Sequence, residues 1–258
     1  MKKFFLFFFV LGLSQLSWAS EPAPFEAQAE LRSFEPYRWL YEILVPETDR
    51  KSQPSQSEKT FRVHLQDSFS SFWHPDDIIR AHLNWPRESM AHVKGSITYV
   101  GFFKKPYRYD LISTGDHQEL VFRVKIHFKN IQSSEKAAID DKIKRAENLW
   151  NSHLWPRDFK YSFRFERVES AANAHFSVTL KDKTRGPYDT FWSRNWAHRT
   201  FAHEFGHMLG LGDEYQTLSG KVDCLTHSLM CTSSSGRLQA YHYYFILRRL
   251  LTSKGQFE

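Results

Sequence analysis

Apolar and polar residues alternate along residues 120–128, with Leu120, Phe122, Val124, Ile126 and Phe128 in one file and Arg123, Lys125 and His127 in the other. That period of two predicts a strand with one face in a core. Past Ser133 and Ser134, which are placed to cap a helix, Ile139, Ile143, Ala146 and Trp150 recur at spacings of 4, 3 and 4. Such spacing is the stripe of a helix buried on one side. Period two returns with Tyr161, Phe163 and Phe165, and again with Phe176, Val178 and Leu180. A polar loop containing Gly186-Pro187 leads to a helix expected from about Ser193 to Leu209, with Ala197, Phe201, Phe205 and Met208 as its core stripe. A final helix from about Ser235 carries Leu238, Tyr241 and Phe245. Mixed strands and helices in this order predict an α+β domain over residues 118–258.

The region before it is less regular. Met1-Lys2-Lys3, an apolar run from Phe4 to Leu13 and the small residues Ser17 and Ala19 predict a secretory signal peptide over residues 1–19. The apolar run is too short to span a bilayer, which needs about 20 residues. No other stretch is long or apolar enough, so no stable membrane insertion is expected once the signal is removed. Residues 20–117 contain a loop or linker, Gln53-Pro54-Ser55-Gln56-Ser57, between aromatic-rich pieces such as Phe61-Arg62-Val63-His64-Leu65 and Ser96-Ile97-Thr98-Tyr99-Val100. This N-terminal region reads either as a small β-rich domain or as a pro-segment.

The chemistry is concentrated in residues 203–213. His203 and His207 lie one helical turn apart, so both rings project from one helix face and can converge on one ion. They stand off the apolar stripe, which makes them poor candidates for ordinary core histidines. Glu204 sits about 100° round the helix, suited to accept a proton from a metal-bound water rather than to ligate. Gly210 can take the positive φ that ends the helix, and Asp213 follows where a returning chain can present a third ligand.

His203, Glu204, His207, Gly210 and Asp213 resemble the metzincin zinc peptidase pattern, with aspartate in place of the usual third histidine, as in the snapalysin-type variant. Ser228-Leu229-Met230 is similar to the turn that places a methionine beneath the metal in that family. The resemblance covers roughly residues 118–251. It implies a zincin catalytic domain with a twisted mixed sheet, an active-site helix, a Met-turn at Met230 and a C-terminal helix. It also implies Zn2+ on His203, His207 and Asp213, and hydrolysis of peptide bonds by a zinc-bound water that Glu204 activates. The strand at residues 175–181 would form the cleft rim and pair with extended substrate. His227 and Glu214 remain alternatives for the third ligand. Glu214 also matches the position where the astacin branch pairs a glutamate with the mature N-terminus. The tyrosine that some metzincins carry two residues after the methionine is replaced by Thr232, leaving Tyr215, Tyr241 and Tyr243 as candidates to stabilise the oxyanion.

Cys224 and Cys231 are the only cysteines, and in an exported protein such a pair is most simply a disulfide. No cysteine precedes them, which excludes a cysteine-switch inhibitory segment. The formal charge of +6 falls to +4 once residues 1–19 leave, and without a dense Lys/Arg patch it gives no reason to expect a nucleic-acid partner. The reading is an exported zinc endopeptidase, periplasmic or secreted, acting on protein or peptide. Two rivals are a catalytically silent zincin-fold binding or adhesion module and a zinc hydrolase of a non-peptide amide. The presence of Glu204 weighs against the first.

Overall fold

A computed structural model of the chain describes residues 38, 75–99, 103–115, 118–152, 159–183, 190–214 and 227–251. The proposed signal peptide, the Phe61–Leu65 piece, Cys224 and Tyr215 lie outside the described residues. Four helices are described: α1 (Pro75–Leu83), α2 (Lys136–Trp150), α3 (His198–Met208) and α4 (Ala240–Leu247), the last followed by a 3-10 turn, Arg248–Leu251. Six strands are described: β1 (Met90–Tyr99), β2 (Phe103–Ser113), β3 (Gln118–Lys129), β4 (Phe159–Val168), β5 (Phe176–Lys181) and β6 (Phe191–Ser193).

The strands form one mixed sheet in the order β1-β2-β3-β5-β6, with β4 on the other edge of β3. The expected alternation holds along β3. Leu120, Phe122, Val124, Ile126 and Phe128 are buried in one cluster with Ile139, Ile143, Ala146 and Trp150 of α2 and Phe201 and Phe205 of α3. Phe165 of β4 stacks on Phe205 at 3.9 Å between ring centroids, which fixes α3 against the sheet. Trp150 donates its indole N–H to the Ala202 carbonyl at 3.0 Å, and Tyr243 of α4 donates to the Trp150 carbonyl at 3.0 Å. These bonds give buried polar atoms their partners while tying three helices together.

Five expectations shift. The sheet runs across the boundary expected at residue 118, because β1 and β2 pair antiparallel and β2 then pairs with β3 from Asp110↔Arg123 to Ser113↔Leu120. Ile78, Ile79 and Trp85 join the same core, so residues from 75 onward are built into this unit. The zinc-motif helix begins at His198 rather than near Ser193, because Phe191–Ser193 pairs parallel with β5; Ala197 becomes the N-cap instead of a core position. The last helix starts at Ala240, because Ser228 and Arg237 pair in a bridge ahead of it and Gln239 N–H donates to His242 Nδ1 at 3.0 Å. Ser133 and Ser134 fall in a 3-10 turn before α2 and do not cap it. The strand expected as an open cleft rim is internal over part of its length: β5 pairs with β3 on one side, and β6 covers Thr179 to Lys181 on the other.

One edge of β3 is shared. β2 occupies it up to Arg123 and β5 takes over from Ile126. At the handover His175 substitutes for a strand, its N–H donating to the Lys125 carbonyl at 2.8 Å and its Nδ1 accepting from the Lys125 N–H at 3.0 Å. Asp110 sits at this junction with its side chain fully buried. Its carboxylate lies 2.6 Å from His92 Nδ1, 3.0 Å from His175 Nε2, 2.7 Å from Arg123 and 3.0 Å from Lys125. Burial alone would raise its pKa, yet hydrogen bonds from His175, Arg123 and Lys125 hold it well below the usual carboxylate range.

A depressed folded pKa means that Asp110 stabilises the fold fully above the unfolded carboxyl's pKa of about 3.9, and that this stability is lost as pH falls below it. Asp110→Asn leaves two cations without their counter-ion and is expected to cost about 3 kcal/mol or more in urea denaturation at pH 7. The gap between wild type and variant should narrow as the pH is lowered through 4; a gap constant down to about pH 3 would contradict this account.

Candidate metal centre

The site is built on the C-terminal turn of α3 and on the segment that doubles back from it. Phe201, Ala202, Phe205 and Met208 bury one side of the helix in the core. This orientation turns His203 and His207 toward the cleft, with ring centroids 4.8 Å apart and planes at 89°. Gly210 has φ +90, and the helix ends there in a Schellman arrangement: Gly210 N–H donates to the His207 carbonyl and Leu211 N–H to the Gly206 carbonyl, both at 2.8 Å. Positive φ and lack of space both call for glycine, since a Cβ at residue 210 would stand 2.5 Å from the Arg249 guanidinium.

Arg249 closes the helix end. Buried to 6 % exposure, it donates to the carbonyls of Leu209 at 2.8 Å and Gly210 at 2.7 Å, and its guanidinium lies 4.2 Å from the centre of the Tyr107 ring. A cation at a helix C-terminus meets the negative end of the dipole, and here it also satisfies carbonyls that the helix leaves unpaired. The turn so formed returns the chain to place Asp213 against the two histidines.

The imidazoles are oriented from behind. His203 Nδ1 lies 2.8 Å from the Leu229 carbonyl and His207 Nδ1 2.9 Å from the Leu211 carbonyl. Carbonyls only accept, so each Nδ1 carries a hydrogen, and Nε2 is the atom each ring turns toward Asp213. These nitrogens lie 3.2 and 3.1 Å from Asp213 Oδ1, a buried oxygen with no hydrogen-bond donor among the described residues. Three potential ligand atoms so close could hold one cation between them. Ligands held at about 2.0 Å by a tetrahedral zinc stand roughly 3.3 Å apart, so the donor set fits that ion in chemistry and spacing.

His203, Glu204 and Asp213 are 7 %, 6 % and 5 % exposed. Burial would lower the pKa of His203, but the Asp213 carboxylate and the Glu204 charge outweigh it and raise it. Asp213 is held well below the usual carboxylate range, against the effect of burial, by the two histidines and by Lys105, whose Nζ is 3.3 Å from Oδ2. Glu204 moves the other way: burial raises it, and the histidines offset this only in part. A carboxyl displaced toward neutrality beside the site is suited to take up and return a proton.

Met230 lies behind the helix. A Cβ on Gly206 would stand 2.5 Å from its sulfur, so the glycine inside the motif makes room for the methionine. The turn is held by Glu214, which donates its N–H to the Met230 carbonyl at 3.1 Å. Glu214 Oε1 accepts from Ser228 at 2.6 Å and from Tyr241 and His242 at 2.7 Å each. Glu214 is therefore a strut joining the loop after Asp213 to the Met230 turn and to α4, and it stands outside the His203, His207, Asp213 group. His227 is exposed and stands outside the His203, His207, Asp213 group. Tyr241 and Tyr243 are buried and bonded inward, so neither reaches the cleft as an oxyanion donor.

A cleft of about 210 Å³ opens beside Glu204 and His207, lined further by Lys105, Arg108, His175 and Trp192 among others. Its β2 residues were missed in sequence, whereas the strand at residues 175–181 was expected at the rim and its start, His175 to Ser177, lines the cleft. The one available signal is the basic, acid-free run over residues 90–109, which contains Lys94, Lys104, Lys105 and Arg108. A second histidine and aspartate group, His92, Asp110 and His175, shows metal-like spacing. Arg123 and Lys125 already neutralise its carboxylate, and His175 Nδ1 is used by the Lys125 N–H, so it is an ion-pair network and not a cation site.

Gly210→Ala is expected to destabilise by about 2 kcal/mol, combining αL strain with displacement of Arg249. Because the same turn positions Asp213, zinc affinity measured by competition with a chromophoric chelator should fall at least tenfold. Unchanged affinity in a folded variant would separate the turn from the site.

A comparison with curated proteins found no match. The family model for the immune inhibitor A peptidase M6 catalytic domain matches residues 80–241, a span that begins in α1, includes β1 and β2, and contains His203, Glu204, His207, Asp213 and Met230. Set beside the mixed sheet, the histidine pair on α3 and the turn at Met230, that match makes the chain a member of the immune inhibitor A peptidase M6 family, zinc metalloendopeptidases of metzincin type.

Proposed function

We propose that the protein is an exported endopeptidase that holds its zinc on His203, His207 and Asp213 and uses Glu204 as general base and then general acid. The observation that carries this reading is the convergence of two carbonyl-oriented Nε2 atoms on Asp213 Oδ1, with Glu204 lining the adjoining cleft. Zinc bound there would supply Lewis acidity to the attacking water and to the scissile carbonyl. Glu204 takes the proton from the water at its carboxylate and delivers it to the departing amine. With aspartate as the third ligand the centre is less positive than with three histidines, which places more of the burden of activating water on Glu204. Lys105 places its Nζ 3.3 Å from Asp213 Oδ2.

Export rests on the basic start, apolar run and small residues of positions 1–19. No helix among the described residues is long and apolar enough to cross a membrane. A Cys224–Cys231 disulfide accords with export, and no free cysteine occurs among the described residues. Such a link would brace the segment leading into the Met230 turn.

Wild type and Glu204→Gln should each bind one zinc by elemental analysis, and only wild type should cleave an unfolded protein, with loss of about a hundredfold or more in the variant. Zinc binding without cleavage by wild type would instead favour a silent binding module. Asp213→Ala should lose zinc; retention would remove Asp213 from the ligand set. Stripping the metal with a chelator should lower the melting temperature of wild type and leave that of Asp213→Ala little changed, since zinc binding stabilises only the folded state.

A further inference from the structure

We propose that the cleft beside the metal centre selects substrates by a carboxylate side chain on a residue flanking the cleaved bond, received by Arg108 with Lys105 alongside. The inference rests on the peptidase reading above and adds a substrate class to it. Along Phe103–Ser113, β2 pairs with β1 throughout but with β3 only from Asp110 onward. At residues 103–109 its second edge therefore faces the cleft and not another strand, and Lys105, Pro106 and Arg108 line that cleft. The start of β5 forms the opposite wall, and Glu204 and His207 join it to the metal centre.

The charge of this space is one-sided. Glu204 is the only carboxylate among the described lining residues, against Lys105 and Arg108; Lys105 is paired with Asp213 and His175 with Asp110, which leaves Arg108 as the cation free to meet a ligand. The hairpin over residues 90–109 carries Lys94, Lys104, Lys105 and Arg108 and contains no aspartate or glutamate. Asp110, two residues along from Arg108, is already engaged by Arg123, Lys125, His92 and His175 and does not offset it. Arg108 itself is exposed and forms no hydrogen bond or ion pair with any described residue. A guanidinium held at a cleft wall offers a planar fork for bidentate recognition of a carboxylate. The apolar surfaces of Phe176, Trp192 and Met208 suit the methylene stem of an acidic side chain. At about 210 Å³ the cleft has room for one side chain rather than for a folded partner.

The test uses the full chain loaded with zinc and a proteome-derived peptide mixture with amidated carboxyl termini, cleavage sites being read by mass spectrometry. Aspartate and glutamate should be enriched at one fixed position within two residues of the cleaved bond. In a matched pair of peptides differing only by glutamate or glutamine there, kcat/KM should favour glutamate by about tenfold or more, as for one charge-assisted hydrogen bond. Arg108→Glu should invert that ratio, and Arg108→Lys should retain part of it, with circular dichroism establishing that both variants are folded. Cleavage by wild type with no acidic enrichment, or an unchanged ratio in folded Arg108→Glu, overturns the proposal and leaves the peptidase reading standing. Cleavage of the same mixture with free carboxyl termini, but not of the amidated one, overturns it in favour of chain-end recognition. No cleavage at all by zinc-loaded wild type removes the peptidase reading and this proposal together.

Discussion

A helix can aim two histidines at one point, but it cannot supply a third donor from the same face without the chain turning back on itself. In this protein the reversal happens at Gly210, where φ is +90. The carbonyls exposed by that reversal are taken up by Arg249, which reaches them from the far end of the chain. The guanidinium also rests on Tyr107 of β2. One buried cation thus links the motif helix, the terminal turn and the hairpin that walls the cleft. An arginine so placed is hydrogen-bonded to helix-end carbonyls and set against an aromatic face, contacts that offset part of the cost of burying its charge.

Support for the site comes from layers behind it. The Leu229 and Leu211 carbonyls orient the histidine rings, Gly206 admits Met230 against the helix, and Glu214 ties that turn to Ser228, Tyr241 and His242. Each of these contacts takes a polar group that burial would otherwise penalise and uses it to hold a neighbour. The sheet contributes through its shared edge. Because β2 leaves β3 where β5 arrives, a wedge opens between the two strands next to the motif helix, and the Asp110 network holds that junction together.

Long periodic stretches were legible in the sequence because burial on one face imposes its spacing directly. Leu120 to Phe128, and Ile139 through Trp150, occupy the faces their spacing implied. Short or paired elements were not. Phe191–Ser193 carries no period of its own and becomes a strand only because β5 is beside it. Tyr241 and Tyr243 have the right chemistry to assist catalysis, and only their burial against Glu214 and the Trp150 carbonyl removes them from the cleft. In sequence Glu214 was open to several readings, from third ligand to partner of the mature N-terminus. Its three described side-chain partners all lie at least 14 residues away, as Ser228, Tyr241 and His242.

By itself the sequence determined the donor types, the one-turn spacing of His203 and His207, the glycine able to reverse the chain and the apolar files that build the core. These are local properties, set by helical and extended periodicity and by the conformational range of single residues. The tertiary structure decided which atom of each histidine faces Asp213, that Glu214 braces while Asp213 faces the pair, and that a basic hairpin walls the cleft. Those outcomes depend on partners distant in the chain, whose hydrogen bonds and charges exist only once the sheet and helices have packed.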